Sequence, residues 1–189
     1  MSGNHRLPAP LVSLGAAIGF LLTYAVPIRW NVGPEGRWWE TLRQEISRLG
    51  NRIDRRMGPR PITPGEYAGT LDEPPEIVEQ KLWEQGFIRN PLARLKVDGD
   101  TPEVSSWVYR DSPLASRQLH LMLFRGDDVT THVYAHEEAS SVNPMVGNDH
   151  FNGDGQNVAA GVEWARAVLP LAVRKDTPEP PEGPWSEGR

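Results

Sequence analysis

Two runs near the middle of the chain, 117–125 and 129–138, carry the residues best suited to chemistry. Both runs alternate in polarity, and successive side chains of a strand point to opposite faces. Imidazole and carboxylate groups bind divalent metal ions and act as general acids and bases. Paired as a hairpin, the runs place such groups on the face opposite the leucines, and we expect a candidate ligand face there. Its residues are His120, His132, Tyr134, His136 and Glu138, beside Met122 and Phe124.

The length of the turn decides how the two strands of this hairpin pair. A three-residue loop, 126–128, keeps the leucines on one face, whereas a loop of two or four residues would set them opposite polar and aromatic side chains. The three-residue loop pairs Leu119 with Ala135, Leu121 with Val133 and Leu123 with Thr131. It also places His120 opposite Tyr134, with the two other histidines on the diagonals at about 7–8 Å between Cα atoms. Three histidines and Glu138 could then surround one ion.

Three interpretations of this face stay open: a metal or catalytic site, a polar face that binds a ligand or partner, and ordinary surface. The segment HVYAHEE lacks the HExxH spacing of zinc peptidases, and alternation alone also places polar groups on a solvated face. We therefore expect no metal, no cofactor and no catalytic residue. Without cysteine, P-loop, GxGxxG or GxSxG motifs, thiol chemistry, nucleotide hydrolysis and esterase chemistry lack support.

Further strands and helices must hold this hairpin in place. Strands are predicted at 66–71 and 104–110, and a helix that starts near Pro74 ends at Gly86. A last helix is predicted over 156–169, with Asp154 as its N-cap. The expected fold is α+β: an antiparallel sheet of about four strands with two helices on one face. This domain spans 63–173.

A basic amphipathic helix is predicted over 35–58. Its apolar residues recur at spacings of 3 and 4, which is the pattern of a helix with one apolar face. These residues are Trp39, Leu42, Ile46, Leu49 and Ile53, preceded by Trp38. The apolar stripe could be buried against a second copy of the chain, on an anionic lipid surface, or on the domain's own core. We regard these residues as a membrane-interface or self-association surface.

The segment 11–28 contains no charged residue and, as a helix, would span roughly 27 Å, which is enough for a bilayer core. One arginine precedes it and four follow within about 20 residues, so the positive-inside rule places the domain in the cytoplasm. We predict a short tail at 1–10 followed by a single-pass transmembrane helix. A cleaved signal peptide is the alternative.

The remaining composition limits the choice of partners. The 189 residues suit one domain plus appendages, and the net charge of −5 argues against nucleic-acid binding. The Pro/Glu-rich end of the chain, 174–189, is predicted to be disordered. Membrane lipid is the expected partner, with a protein partner or a second copy as further possibilities.

Several segments of the domain, LWEQGFIRNPLARLK, SWVYR, QLHLMLF, VYAHEE and GVEWAR, resemble a set of small uncharacterised α+β proteins of halophilic archaea. The resemblance covers the domain alone, and the modest acidic excess departs from the halophilic pattern. It implies a soluble α+β module, sometimes tethered to a membrane, with no activity to carry over.

The sequence favours a membrane-anchored, non-enzymatic binding or assembly module. A metal-dependent enzyme that uses the histidine face is one alternative, and a self-associating membrane scaffold is another.

Overall fold

The computed structural model describes residues 33–53, 58–91, 93–126, 129–146, 149–150 and 155–171. The α+β class predicted from the sequence is confirmed. The helices are α1 (Trp38–Ile53), α2 (Pro75–Glu84) and α3 (Val158–Val168), and short 3-10 turns cover Pro34–Arg37 and Pro64–Glu66. The strands are β1 (Arg60–Pro61), β2 (Tyr67–Leu71), β3 (Ile88–Arg89), β4 (Lys96–Asp98), β5 (Thr101–Pro102), β6 (Ser105–Tyr109), β7 (Arg117–Arg125) and β8 (Thr131–Ala139).

The strands form two sheets among the described residues. An antiparallel sheet has the order β2-β8-β7-β6-β3, and a smaller sheet has the order β1-β4-β5 with β1 parallel to β4. The prediction of about four strands in one sheet is therefore incomplete. Strands β1, β3, β4 and β5 have only two or three residues each, which is too short for an alternating pattern to reveal them.

The leucine face of the large sheet forms the core, as the alternation predicts. Leu119, Leu121 and Leu123 of β7 are fully buried. Helices α2 and α3 cover them and contribute to the same cluster the apolar side chains Val78, Leu82, Val162 and Ala165, with Leu169 beyond the end of α3. Fully burying such a side chain stabilises the fold by about 1.5–3 kcal/mol.

The hairpin register differs from the prediction by two residues. Leu121 pairs with Ala135, Leu123 with Val133 and Arg125 with Thr131, so that five residues, 126–130, connect the strands instead of three. A shift of two residues keeps every side chain on its predicted face, because the strand period is two. The neighbours across the strands do change, however, and His120 lies directly opposite His136 instead of Tyr134.

Helix α3 approaches strand β8 closely at one glycine. Asn157 caps the helix, its side chain accepting a hydrogen bond from the Ala160 N–H at 3.0 Å. The backbone of Asn157 also exchanges two hydrogen bonds with Glu137, at 2.8 and 3.0 Å. A Cβ atom added to Gly161 would lie 2.2 Å from the His136 backbone, so only glycine allows this approach. The predicted cap, Asp154, lies outside the described residues.

No helix within the described ranges is both long and apolar enough to cross a bilayer. The predicted transmembrane segment, 11–28, lies outside those ranges, as do the predicted tails, 1–10 and 174–189. Of the predicted amphipathic helix, 35–58, residues 54–57 are likewise not described. The predicted domain, 63–173, leaves out β1, which pairs with β4.

Candidate functional site

Three polar side chains meet on the face of the sheet opposite the leucines. His120 on β7 and His136 on β8 face each other across the strands, and Glu138 follows two residues further along β8. Their exposed fractions are 3%, 0% and 3%. The interpretation of this part of the face as ordinary surface is therefore wrong, because the three side chains are buried.

The three side chains direct ligand atoms at one point. His120 Nδ1 lies 3.1 Å from His136 Nε2, and these nitrogens lie 3.4 and 3.3 Å from the nearest oxygens of Glu138. This cluster, His120, His136 and Glu138, offers two imidazole nitrogens and a carboxylate to a divalent ion. We call it the His-His-Glu cluster.

Neighbouring side chains hold the outer nitrogens of both histidines. Glu66 Oε1, in the 3-10 turn before β2, lies 2.9 Å from His136 Nδ1. Lys96 Nζ donates to the same oxygen at 3.1 Å. Ser106 Oγ on β6 lies 2.7 Å from His120 Nε2. Each imidazole ring is therefore fixed from behind.

Burial and charge set the protonation of the cluster. Burial lowers the pKa of His120 to about 4. Burial alone would also lower the pKa of His136, but hydrogen bonds to Glu138 and Glu66 outweigh it and raise that pKa. The pKa of Glu138 is held well below its usual range, because the neighbouring histidines, His150 foremost, outweigh burial. Burial alone would raise the pKa of Glu66, but the hydrogen bond to His136 helps to lower it to about 2. A neutral His120 thus lies beside a His136 that favours its cationic form.

The other predicted face residues lie apart from the cluster. His132 Nδ1 is hydrogen-bonded to Thr70 Oγ1 at 2.8 Å. The ring of Tyr134 packs against Tyr67 and Phe124, with centroid distances of 5.4 and 5.2 Å. The predicted set of three histidines around one point is therefore wrong for His132, and the register shift of two residues is the reason.

Sequence reasoning missed further residues that surround the cluster. His150 Nδ1 lies 3.4 Å from Glu138 Oε1, and Gln156 Nε2 lies 3.4 Å from His136 Nε2. Glu66 and Ser106 were also missed as partners of the histidines. These four residues come from four separate parts of the chain, and no local spacing connects them. Only the pairing of Asn157 with Glu137 brings Gln156 to the cluster.

A second candidate surface lies on α1. Helix α1 buries Glu40, Arg43, Ser47 and Gly50 against the domain. Its apolar stripe points away from the domain instead, with exposed fractions of 58% at Ile46 and 82% at Ile53. Burial of the stripe on the domain's own core, one of the three alternatives, is thus contradicted. The exposed stripe consists of Trp38, Leu42, Ile46, Leu49 and Ile53, and Trp39 is half-buried with its ring stacked on that of Trp38 at 4.1 Å.

Buried ion pairs attach α1 to the domain. Arg43 Nη2 lies 2.8 Å from Glu103 Oε1, and Glu40 Oε1 accepts from Arg89 Nη1 at 2.9 Å. Arg89 continues the network to Glu79 at 3.1 Å. Because charges are costly to bury without partners, these pairs fix which side of α1 faces the domain.

Comparison of the chain with family models, with curated proteins and with solved structures finds no match. The resemblance to small proteins of halophilic archaea therefore stays a prediction.

Proposed function

We propose that this chain is a single-pass membrane-anchored module whose helix α1 lies along the lipid surface and fixes the domain there. One observation carries the proposal: the apolar stripe of α1 is exposed, whereas its buried side is charged and polar. This arrangement is the reverse of an ordinary surface helix, which buries its apolar stripe against the core.

The exposed stripe calls for an apolar environment outside the described residues. Single exposed apolar side chains are normal in soluble proteins, but a contiguous row along a whole helix marks a contact surface. The row from Trp38 to Ile53 extends over the 16 residues of α1. Turning it inward would break the ion pairs of Glu40 and Arg43 with the domain.

The position of the uncharged segment favours lipid as the occupant. Only five residues separate Ile28, where this segment ends, from the 3-10 turn that begins at Pro34. Fully extended, that connection reaches no more than about 20 Å. If 11–28 crosses the bilayer, α1 therefore begins close to the headgroup layer, where amphipathic helices lie with their apolar face in the acyl boundary.

The local charge also favours an anionic membrane. The segment 29–60 holds eight arginines against four acidic residues, which makes it positive in a chain whose net charge is −5. Basic residues near an anionic leaflet contribute about 1 kcal/mol each. The same charge asymmetry around 11–28 favours a cytoplasmic position for the domain.

A second copy of the chain is the competing occupant. Two stripes could form a short coiled coil, although α1 holds only about two heptads and secure pairing usually needs three or four. We favour lipid because it accounts for both the arginines and the adjacent uncharged segment.

A labelling experiment on the full-length chain tests the proposal, and the absence of native cysteine allows single labels. Ile46→Cys places a spin label on the stripe, and Thr41→Cys is the matched control on an exposed polar side of the same helix. In vesicles with anionic lipid, we expect the label at 46 to be accessible to oxygen and shielded from a water-soluble nickel chelate. The label at 41 should show the opposite pattern.

Three results would contradict the proposal. Equal exposure of both labels to the nickel chelate would place α1 away from the bilayer. Strong dipolar coupling between labels at position 46 of two chains would instead assign the stripe to self-association. Recovery of the unprocessed chain in the aqueous fraction after gentle lysis would remove the anchor itself.

A further inference from the structure

We propose that the His-His-Glu cluster is a binding site for one first-row divalent transition-metal ion, with Zn²⁺ as the probe. The inference is independent of membrane attachment, since the cluster lies on β7 and β8 and the apolar stripe lies on α1. The three side chains of the cluster are almost fully buried.

The ligand atoms of the cluster lie close enough together to share one zinc ion. Zinc bonds nitrogen and oxygen at about 2.0–2.1 Å in a tetrahedron, so its ligand atoms lie about 3.3–3.4 Å apart. His120 Nδ1 lies 3.1 Å from His136 Nε2, and these nitrogens lie 3.4 and 3.3 Å from Oε1 and Oε2 of Glu138, respectively. One ligand atom from each residue lies within 4.8 Å of the others, so rotations of the side chains bring all three to zinc distance while the strands stay paired.

The donor types select transition metals over calcium or magnesium. Two imidazoles and one carboxylate suit zinc, iron, nickel or copper, whereas calcium and magnesium prefer shells made entirely of oxygen. His120 and His136 face each other from paired strands, which holds the two nitrogens at a fixed separation.

The partners behind each ring resemble the outer shell of metal sites. Ligating histidines usually bond their second nitrogen to a carboxylate, a backbone carbonyl or water, which fixes the ring and its tautomer. Here Glu66 Oε1 lies 2.9 Å from Nδ1 of His136, and Ser106 Oγ lies 2.7 Å from Nε2 of His120. The nitrogens left over, Nε2 of His136 and Nδ1 of His120, are those that point to the cluster centre.

The side chain of Gln156 lies at the outer side of the cluster, next to His136. The amide nitrogen of Gln156 lies 3.4 Å from His136 Nε2, which is again one edge of a zinc tetrahedron. The nitrogen and oxygen of an amide exchange places by a flip of the group, so its oxygen can occupy that position. Because Gln156 is exposed, it also marks the side from which an ion or a water molecule enters.

The rival explanation is a buried proton. In that case His136 is protonated, and its positive charge lies between the carboxylates of Glu66 and Glu138. The ammonium group of Lys96 offsets the second negative charge. Both explanations need the same side chains, so the test must measure metal directly.

The experiment uses the full-length chain in detergent, purified without immobilised metal and stripped with EDTA. Calorimetric titration with Zn²⁺ is expected to show one ion per chain. Glu138→Gln and His136→Ala each change a proposed ligand. Each should weaken Zn²⁺ binding more than the loss of an outer-shell partner does, which is typically about 10–100-fold. His132→Ala is the matched control, because this histidine lies on the same strand but bonds Thr70. Its affinity should be unchanged.

Two further measurements keep the test decisive if a ligand variant fails to fold. Ser106→Ala removes only the outer partner of His120 and should weaken Zn²⁺ binding by about 10–100-fold. Co²⁺ bound to the unmodified chain should show the visible absorption of four-coordinate cobalt. A chain that binds no Zn²⁺ would overturn the proposal in favour of the buried proton. Equal loss in His132→Ala and His136→Ala would place any bound ion elsewhere.

Discussion

Arg43 Nη2 lies 2.8 Å from Glu103 Oε1, and both side chains are buried between α1 and the domain. A salt bridge of this kind orients the helix through its polar side. It explains how α1 is attached on its polar side while its apolar stripe stays exposed, and it makes the attachment sensitive to single substitutions and to pH.

Removal of Arg43 should destabilise the protein strongly. Above pH 7, where Glu103 is ionised, Arg43→Ala leaves its carboxylate buried without an ionic partner. Loss of one member of a buried pair costs about 3–5 kcal/mol. Urea unfolding of the full-length chain in mild detergent measures this loss. Arg48→Ala is the control, since Arg48 pairs with Glu45 at the surface and should cost at most about 1 kcal/mol. Equal losses would show that the buried pair does not hold α1.

Glu103 should make stability depend on pH. Burial raises the pKa of its carboxyl to about 7, in spite of the opposing charge of Arg43, and its Oε2 has no hydrogen-bond partner among the described residues. A raised pKa means that the folded state binds the proton more tightly. This contribution is therefore fully present below pH 4.5 and is lost as the pH rises to about 7.

Glu103→Gln isolates that contribution. The unmodified chain should lose stability relative to the variant between pH 4.5 and pH 7, whereas titrating groups that do not interact with Glu103 affect both proteins alike. The free energy of unfolding, measured at several pH values across this range, gives the two slopes. If the free energies of unfolding of the two proteins changed in parallel with pH, Glu103 would be ionised throughout this pH range.

Gly161→Ala should test the close approach of α3 to β8. The added Cβ would lie 2.2 Å from the His136 backbone and must push the helix outward, at a cost of about 1–3 kcal/mol. Gly65→Ala is the control, because a Cβ there meets only Val158 at 3.8 Å and should be tolerated. Thermal unfolding of both variants measures this loss of stability. An unchanged unfolding temperature in Gly161→Ala would mean that the helix has room to move.

The core and the stripe should respond differently to truncation. Leu121 is fully buried, and Leu121→Ala should cost about 2–5 kcal/mol of unfolding free energy. Ile46→Ala removes a side chain that is 58% exposed and should change stability by no more than about 0.5 kcal/mol. A large loss of stability in Ile46→Ala would show that the stripe belongs to the folded core.

Alternation along β7 and β8 was sufficient to predict the two faces of the sheet. The leucines form the core with Val162 and Ala165, and the fold class follows from that pattern. The register was two residues off because alternation determines only whether a loop is odd or even in length. The connection over 126–130 therefore placed His120 beside His136 and not beside Tyr134.

The burial of the His-His-Glu cluster could not be predicted, since its cover comes from distant parts of the chain. Glu66 reaches His136 across 70 positions, and no local pattern records such a contact. The orientation of α1 has a similar cause: Arg43 and Glu103 are 60 positions apart. Periodicity predicted the helix and its stripe, but these non-local ion pairs decide which side faces inward.

The firm attachment of α1 has a geometric consequence. A helix of 16 residues is about 24 Å long, and the ion pairs join it to the domain near its first two turns. A flexible tether would let the domain tumble at any tilt above a bilayer. If α1 rests in the headgroups as proposed, rotation about its long axis is suppressed as well, and one fixed edge of the sheet faces away from the bilayer.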